Sequence, residues 1–96
     1  MVSNMAMLFV PDAESALQQT FQRHHGTSAY RKLVSLLLSI ETDTSLIAEE
    51  AVRLEQFEDQ TFLIVWEADP PGPRRILVVF TIDAAEDQLI RKVQLA

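Results

Sequence analysis

The stretch FLIVWEADPPGPRRILVVF, residues 62–80, places two runs of five consecutive apolar residues on either side of a proline-rich turn. β-Branched and aromatic side chains dominate both runs, and residues 69–73 can only be a connection, so the stretch reads as a β-hairpin. Alternation along an extended chain sends Phe62, Ile64 and Trp66 to one side and Leu63 and Val65 to the other. Ile76, Val78 and Phe80 alternate with Leu77 and Val79 in the same way. Both faces of the hairpin are apolar, and each needs a cover.

Outward from the hairpin, the N-terminal half supplies helices. Ala6 to Val10 is a short apolar segment ending at Pro11 and reads as a first strand. Pro11 suits a first helical position, Asp12 and Glu14 suit the positive end of the helix dipole, and Gly26 supplies a stop. Ala13, Leu17, Phe21 and His24 fall on one face of that helix. Ser28 is placed to cap a second helix through Tyr30, Leu33, Val34, Leu37 and Ile40. Leu36 and Leu38 widen its apolar surface beyond one stripe, which predicts neighbours on more than one side.

The polar loop T-D-T-S, residues 42–45, ends this helix. Leu46, Ile47, Ala51 and Leu54 fit a helical face, whereas Val52 and Leu54 ahead of E-Q-F-E-D fit a strand. The expectation is a short helix or loop to about Glu50, then a strand from Ala51 to Phe57 with a turn at Glu58 and Asp59. The final segment opens with Asp83 and Glu86 at capping-box spacing. Asp87 and Arg91 stand four apart, and Leu89, Ile90 and Val93 share a helical face, so a C-terminal helix is expected. A fourth meander strand from Leu89 to Leu95 is the alternative.

Length and composition agree with an α+β fold in one domain over residues 1–96. Nearly half of the residues are apolar and about a quarter are charged, as in ordinary globular chains. The chain has no cysteine, which removes disulfides and Cys-based zinc sites. The first residues lack the basic region of a signal peptide, and no apolar run approaches the roughly 18 residues that span a bilayer. A soluble, cytoplasmic protein with no membrane association is expected.

Net charge is −6 and is unevenly distributed. Between Glu41 and Asp69, nine acidic residues face Arg53 alone, so this segment carries −8 and the rest of the chain +2. Nucleic-acid binding draws on Lys and Arg neutralising phosphates, so this surface is unsuited to it. An acidic segment of this kind serves solubility or attracts a basic protein partner.

Side chains with chemistry to offer are sparse. His24 and His25 are adjacent, and helical neighbours project about 100° apart, so they do not chelate one ion together; ending the first helix against its negative pole suits them better. Ser28, His25 and an acid lack the strained turn of a nucleophile elbow. The carboxylates near Asp83 lack the pattern of a calcium loop. With Gly26 and Gly72 the only glycines, there is no phosphate-binding loop. Arg74 and Arg75 read as edge-strand charge that discourages aggregation. No catalytic residue, metal site or cofactor is implied.

The order strand, helix, helix, antiparallel meander resembles the RelE/ParE toxin superfamily. LFVPDAESALQQ, residues 8–19, is similar to that family's opening, in which a first strand passes directly into a helical hairpin. VRLEQFEDQTFLIVWEAD, residues 52–69, followed by RRILVVFTI, residues 74–82, is similar to its three-stranded meander. The resemblance, from about Leu8 to Ile82, implies such a fold and a role in a toxin–antitoxin pair. Ribonuclease members bring Arg, Lys, His or Tyr to a messenger RNA. Here the meander offers Phe62, Leu63, Val65, Ile76, Leu77, Val78 and Val79 instead, and an apolar sheet cannot stabilise the charge of that transition state. The resemblance therefore extends to a gyrase-targeting or inactive relative and transfers no catalytic residue.

The expectation is a short N-terminal strand, a helical hairpin, a three-stranded antiparallel meander and a C-terminal helix. The helical hairpin covers one face of the meander. A single terminal helix covers the other only partly, leaving apolar surface for a partner, most economically a second copy in a two-fold homodimer. The candidate protein-binding residues are Phe62, Ile64, Trp66, Leu77 and Val79 on the hairpin, with Leu89 and Val93 on the terminal helix.

Overall fold

The computed structural model describes residues 7–42, 49–56, 60–83 and 87–96. Within them the chain runs β1 (Met7–Phe9), α1 (Pro11–His24), α2 (Ser28–Thr42), β2 (Val52–Arg53), β3 (Gln60–Glu67), β4 (Arg75–Ile82) and β5 (Gln88–Leu95). The strands form one mixed sheet in the order β1-β5-β4-β3-β2, with β1 parallel to β5 and every other pair antiparallel. The fold is α+β: a helical hairpin packed on one side of a strand meander. The T-D-T-S loop beyond Thr42, Leu46, Ile47, the Glu58–Asp59 turn and Glu86 lie outside the described residues.

The hairpin of residues 62–80 forms the middle of the sheet, with Phe62 opposite Phe80, Ile64 opposite Val78 and Trp66 opposite Ile76. The Phe62 and Phe80 rings stack at 5.7 Å between centroids, which joins a cross-strand pair to the core. The even-numbered side chains of β3 and β4 meet the helices, and the core consists of Ile64, Ile76, Val78, Phe80, Ile90 and Val93 against Ala13, Ala29, Leu33, Leu36, Leu37 and Ile40. Helix α2 supplies most of the helical side of this core, because Leu33, Leu36, Leu37 and Ile40 recur at helical spacing.

The expected C-terminal helix is instead strand β5, the alternative reading. Its apolar residues have helical spacing only because of a bulge. Val79 pairs with Lys92 while its neighbour Phe80 pairs with Ile90, so Arg91 is an extra residue in the ladder. Gln88 and Ile90 precede the bulge and Val93 and Leu95 follow it, all facing the helices. An inserted residue turns a period of two into the i, i+3 step from Ile90 to Val93. Asp83 does bind ahead in sequence, but as a loop closure: its Oδ1 accepts the Asp87 N–H at 2.9 Å, and its own N–H donates to Asp87 O at 3.0 Å.

Three further expectations change. Strand β2 covers Val52–Arg53 and ends short of the expected Ala51 to Phe57, because Arg53 opposite Phe62 and Leu54 N–H bonded to Thr61 O (2.8 Å) require the chain to turn at Glu55 and Gln56; Phe57 itself lies outside the described residues. Helix α2 is capped by Thr27, whose Oγ1 accepts the Tyr30 N–H at 3.2 Å, while Ser28 Oγ instead faces the Asp69 N–H at 3.4 Å. Arg74 and Arg75 do not guard a sheet edge. They lead into the central strand β4, and both their N–H groups donate to Ala96 O.

The hairpin turn is docked on the helix–helix link. Its chain passes through a cis Pro70–Pro71 bond and then Gly72 at φ 103°, in the left-handed region. A Cβ on Gly72 would stand 2.8 Å from Thr27 Cγ2. Lys32 Nζ donates to Glu67 O at 3.0 Å beside this contact.

Candidate functional site

Strand alternation together with the position of β5 decides which apolar surface is left over. Since β5 lies in the sheet beside β4, it covers neither face, and the side opposite the helices carries Leu8, Val52, Leu63, Val65, Leu77, Val79 and Leu89. None of these belongs to the buried core. Val65 is 47% exposed, Leu8 55% and Val52 60%. This face carries an apolar side chain in each of the five strands, with Thr81, Lys92 and Gln94 among them, which is more than the scattered hydrophobics of an ordinary surface.

The expected contact residues divide between the two faces. Leu77, Val79 and Leu89 belong to the open face. Ile64 and Val93 are core residues, 1% and 4% exposed, and are committed to the helices. Phe62 and Trp66 are half-buried on the helix side. Trp66 also donates its indole N–H to Glu50 Oε1 at 2.9 Å, so its polar edge has an internal partner. Leu63 and Val65 were assignable to the same face as Leu77 and Val79 by alternation alone; Leu8 and Val52 were not, since only strand order brings them there.

One end of the open face is polar. Thr61 and Thr81 are buried side by side with their hydroxyl oxygens 3.2 Å apart, and Arg91 Nε donates to Thr81 Oγ1 at 2.8 Å. The bulge supplies this arginine. Lys92 is exposed opposite Val79, and Glu67 stands opposite Arg75 at the far end of the hairpin. The open face thus has an apolar centre with charged residues at its margin, the usual arrangement of a protein interface.

The acidic segment presents Glu41, Glu49, Glu55 and Asp69 as exposed side chains. His25 sits at the end of α1, where its backbone N–H and its Nδ1 both lie 3.1 Å from Phe21 O, consistent with a helix-ending role. Among the described residues, no group of three or more His, Asp or Glu is placed to hold a metal ion. No helix among them is long and apolar enough to cross a membrane.

No protein-family model matches the chain, and the searches of curated proteins and of solved structures give no match either.

Proposed function

We propose that this is a non-enzymatic protein that works through protein–protein contact, self-associating as a two-fold homodimer through its open sheet face. The observation that carries this reading is the set of Leu63, Val65, Leu77, Val79 and Leu89, half-buried or exposed on a face that no described helix or strand covers once β5 joins the sheet. Covering it with a second copy buries the same patch on both molecules, the isologous arrangement of most homodimers. Exposed carboxylates away from that face, Glu41, Glu49 and Asp69 among them, then remain outside the interface, where they attract a basic protein partner and accelerate its approach. A cytoplasmic location suits such an adaptor.

The test is solution mass by light scattering over a concentration series. The wild-type protein is expected to have twice the chain mass, and Val79→Asp the mass of one chain with an unchanged circular dichroism spectrum. A wild-type protein that is monomeric at every concentration overturns the reading.

A second reading is a RelE/ParE-like toxin relative without ribonuclease residues. It is supported by the passage from a first strand straight into a helical hairpin and on to an antiparallel meander. Growth arrest on induction, relieved by a neighbouring gene, is the expected outcome; harmless overexpression counts against it.

A further inference from the structure

The sheet has an edge that its own strands do not finish. β1 pairs with β5 only along Gln88–Ile90, and the chain then leaves the sheet at Val10, whose N–H donates to Ile90 O at 3.0 Å. β5 runs on to Leu95 with β4 as its only neighbour among the described strands. The hydrogen bonds fix which groups are left over. Ala96 and Arg75 exchange both backbone bonds, each at 3.0 Å, so by antiparallel alternation Gln94 and Lys92 also turn their backbone groups toward β4. The N–H and C=O groups of Val93 and Leu95 turn the other way, onto the side that β1 no longer occupies. Among the described residues, no hydrogen bond uses them there.

Helix α1 walls this edge without filling it. A cleft of about 170 Å³ lies between the α1 stripe Ala16, Gln19, Thr20 and Arg23 and residues 93–95 of β5. Ala16 and Thr20 are small, which leaves the space. Val93 is 4% exposed and Leu95 half-buried, so their four unpaired groups border the cleft rather than open water, where lacking a partner is most costly. Two donors and two acceptors alternating along a strand edge are matched by another extended backbone. Charge narrows the partner further. Arg23 is exposed on the α1 wall, none of the residues lining the cleft is acidic, and the exposed Lys92 projects from the opposite side of the same strand. Asp12, the acid on that α1 stripe, lies one turn before Ala16, toward the end where β1 passes into the helix. A second copy is a poor occupant. Pairing β5 with its copy about Gln94 would bring a second α1, with its own Arg23, against a cleft already walled by the first.

We infer that the β5 edge at Val93 and Leu95 is a docking site for an extended acidic segment of a different protein, which pairs with these two residues as a further strand where β1 leaves off. Its backbone meets the four unpaired groups, and its carboxylates face Arg23 on one side and Lys92 on the other. The inference stands apart from the sheet-face reading, because it uses the rim of the sheet and not the open face.

The probe is a capped heptapeptide of threonine with glutamate at its three central positions, titrated into the isotope-labelled full chain and followed by amide NMR. The Val93 and Leu95 amides are expected to shift most and to gain protection from hydrogen exchange, while Lys92 and Gln94, already bonded to β4, shift less. Affinity is expected to fall at least about tenfold, or ~1.4 kcal/mol, when the central residues of the probe are N-methylated, when its glutamates are replaced by lysine, and in Arg23→Glu. Leu95→Pro removes an N–H that serves no bond to β4, a position at which a strand tolerates proline, and should weaken binding by a similar factor. Val65→Lys, two strands away on the open face, is expected to leave binding unchanged. Circular dichroism confirms that the variants fold, and the modified probes and Arg23→Glu decide the matter without touching the ladder. The inference is overturned by no binding at about millimolar probe, by affinity indifferent to N-methylation or to lysine, or by shifts centred away from Val93 and Leu95. A fall in solution mass on Leu95→Pro would assign the edge to a second copy and overturn it equally.

Discussion

Arg91 donates its Nε–H to Thr81 Oγ1 at 2.8 Å, and that hydroxyl lies 3.2 Å from the hydroxyl of Thr61. The contact exists because the bulge in β5 places an additional side chain opposite the end of β4. Two buried hydroxyls satisfied by each other and by a guanidinium should be costly to separate. Thr81→Val is expected to lower stability by about 1–3 kcal/mol, since it leaves Thr61 without its partner. Thr61→Val combined with Thr81→Val should cost less than the sum of the two single changes, with a coupling of about 0.5 kcal/mol or more. Urea unfolding of the four proteins measures this, and strict additivity would show that the hydroxyls act separately.

Gly72 and Thr27 pose a different test, because two separable effects meet there. Gly72→Ala adds a Cβ that meets Thr27 Cγ2 at 2.8 Å and forces a φ of 103° on an L side chain. A loss of at least about 1 kcal/mol is expected. Thr27→Ser in the same chain removes Cγ2 but keeps the hydroxyl that caps α2. It should recover the steric part and leave the backbone part. Thermal unfolding of the single and double variants separates the two. Full recovery would mean that the backbone tolerates the strain.

The hairpin was legible because its evidence is local: alternating β-branched and aromatic residues and a connection that neither strand can absorb. The two helices were legible for the same reason, from Pro11 and the apolar spacing of α2. What failed was long-range. Nothing near Ile90 and Val93 distinguishes a helical i, i+3 step from a strand with one inserted residue; only pairing with Val79 and Phe80 does. That single error moved Val93 from the core to the expected binding surface. It also placed a helix over the face that holds Leu77, Val79 and Leu89. Phe21 shares a helix face with Ala13 and Leu17 yet is 52% exposed, because periodicity gives the apolar stripe but not how much of it a neighbour covers.

Gln88 ties β5 to helix α2: it is fully buried, its Nε2 donates to Ile40 O, and its Oε1 has no hydrogen-bond partner among the described residues. Gln88→Glu would replace the amide with a carboxyl facing that backbone carbonyl. Burial disfavours the charged form, so the introduced carboxyl should have a folded pKa above its unfolded value. Stability should then fall as pH rises from the unfolded value of about 4.3 toward the raised folded value, and recover on acidification. Comparing urea midpoints of Gln88→Glu and wild type from pH 4.5 to pH 8, as approximate limits bracketing that transition, should give a gap that widens upward. A gap constant with pH would mean that the new carboxyl reaches solvent.

Ile64 and Val65 are neighbours in sequence that serve opposite faces, and the pair separates folding from assembly. Ile64 is 1% exposed under the helices, so Ile64→Ala is expected to cost about 2–5 kcal/mol from lost burial and the cavity left behind. Val65 projects from the open face, and Val65→Lys should change stability of the separated chain by no more than about 0.5 kcal/mol. Its effect should appear in solution mass: two ammonium groups brought into an apolar two-fold contact lose hydration without gaining a partner. Light scattering and urea unfolding of both variants make the comparison. A Val65→Lys protein that keeps the mass of a dimer would remove the sheet face from self-association, and the apolar band would then belong to a different protein.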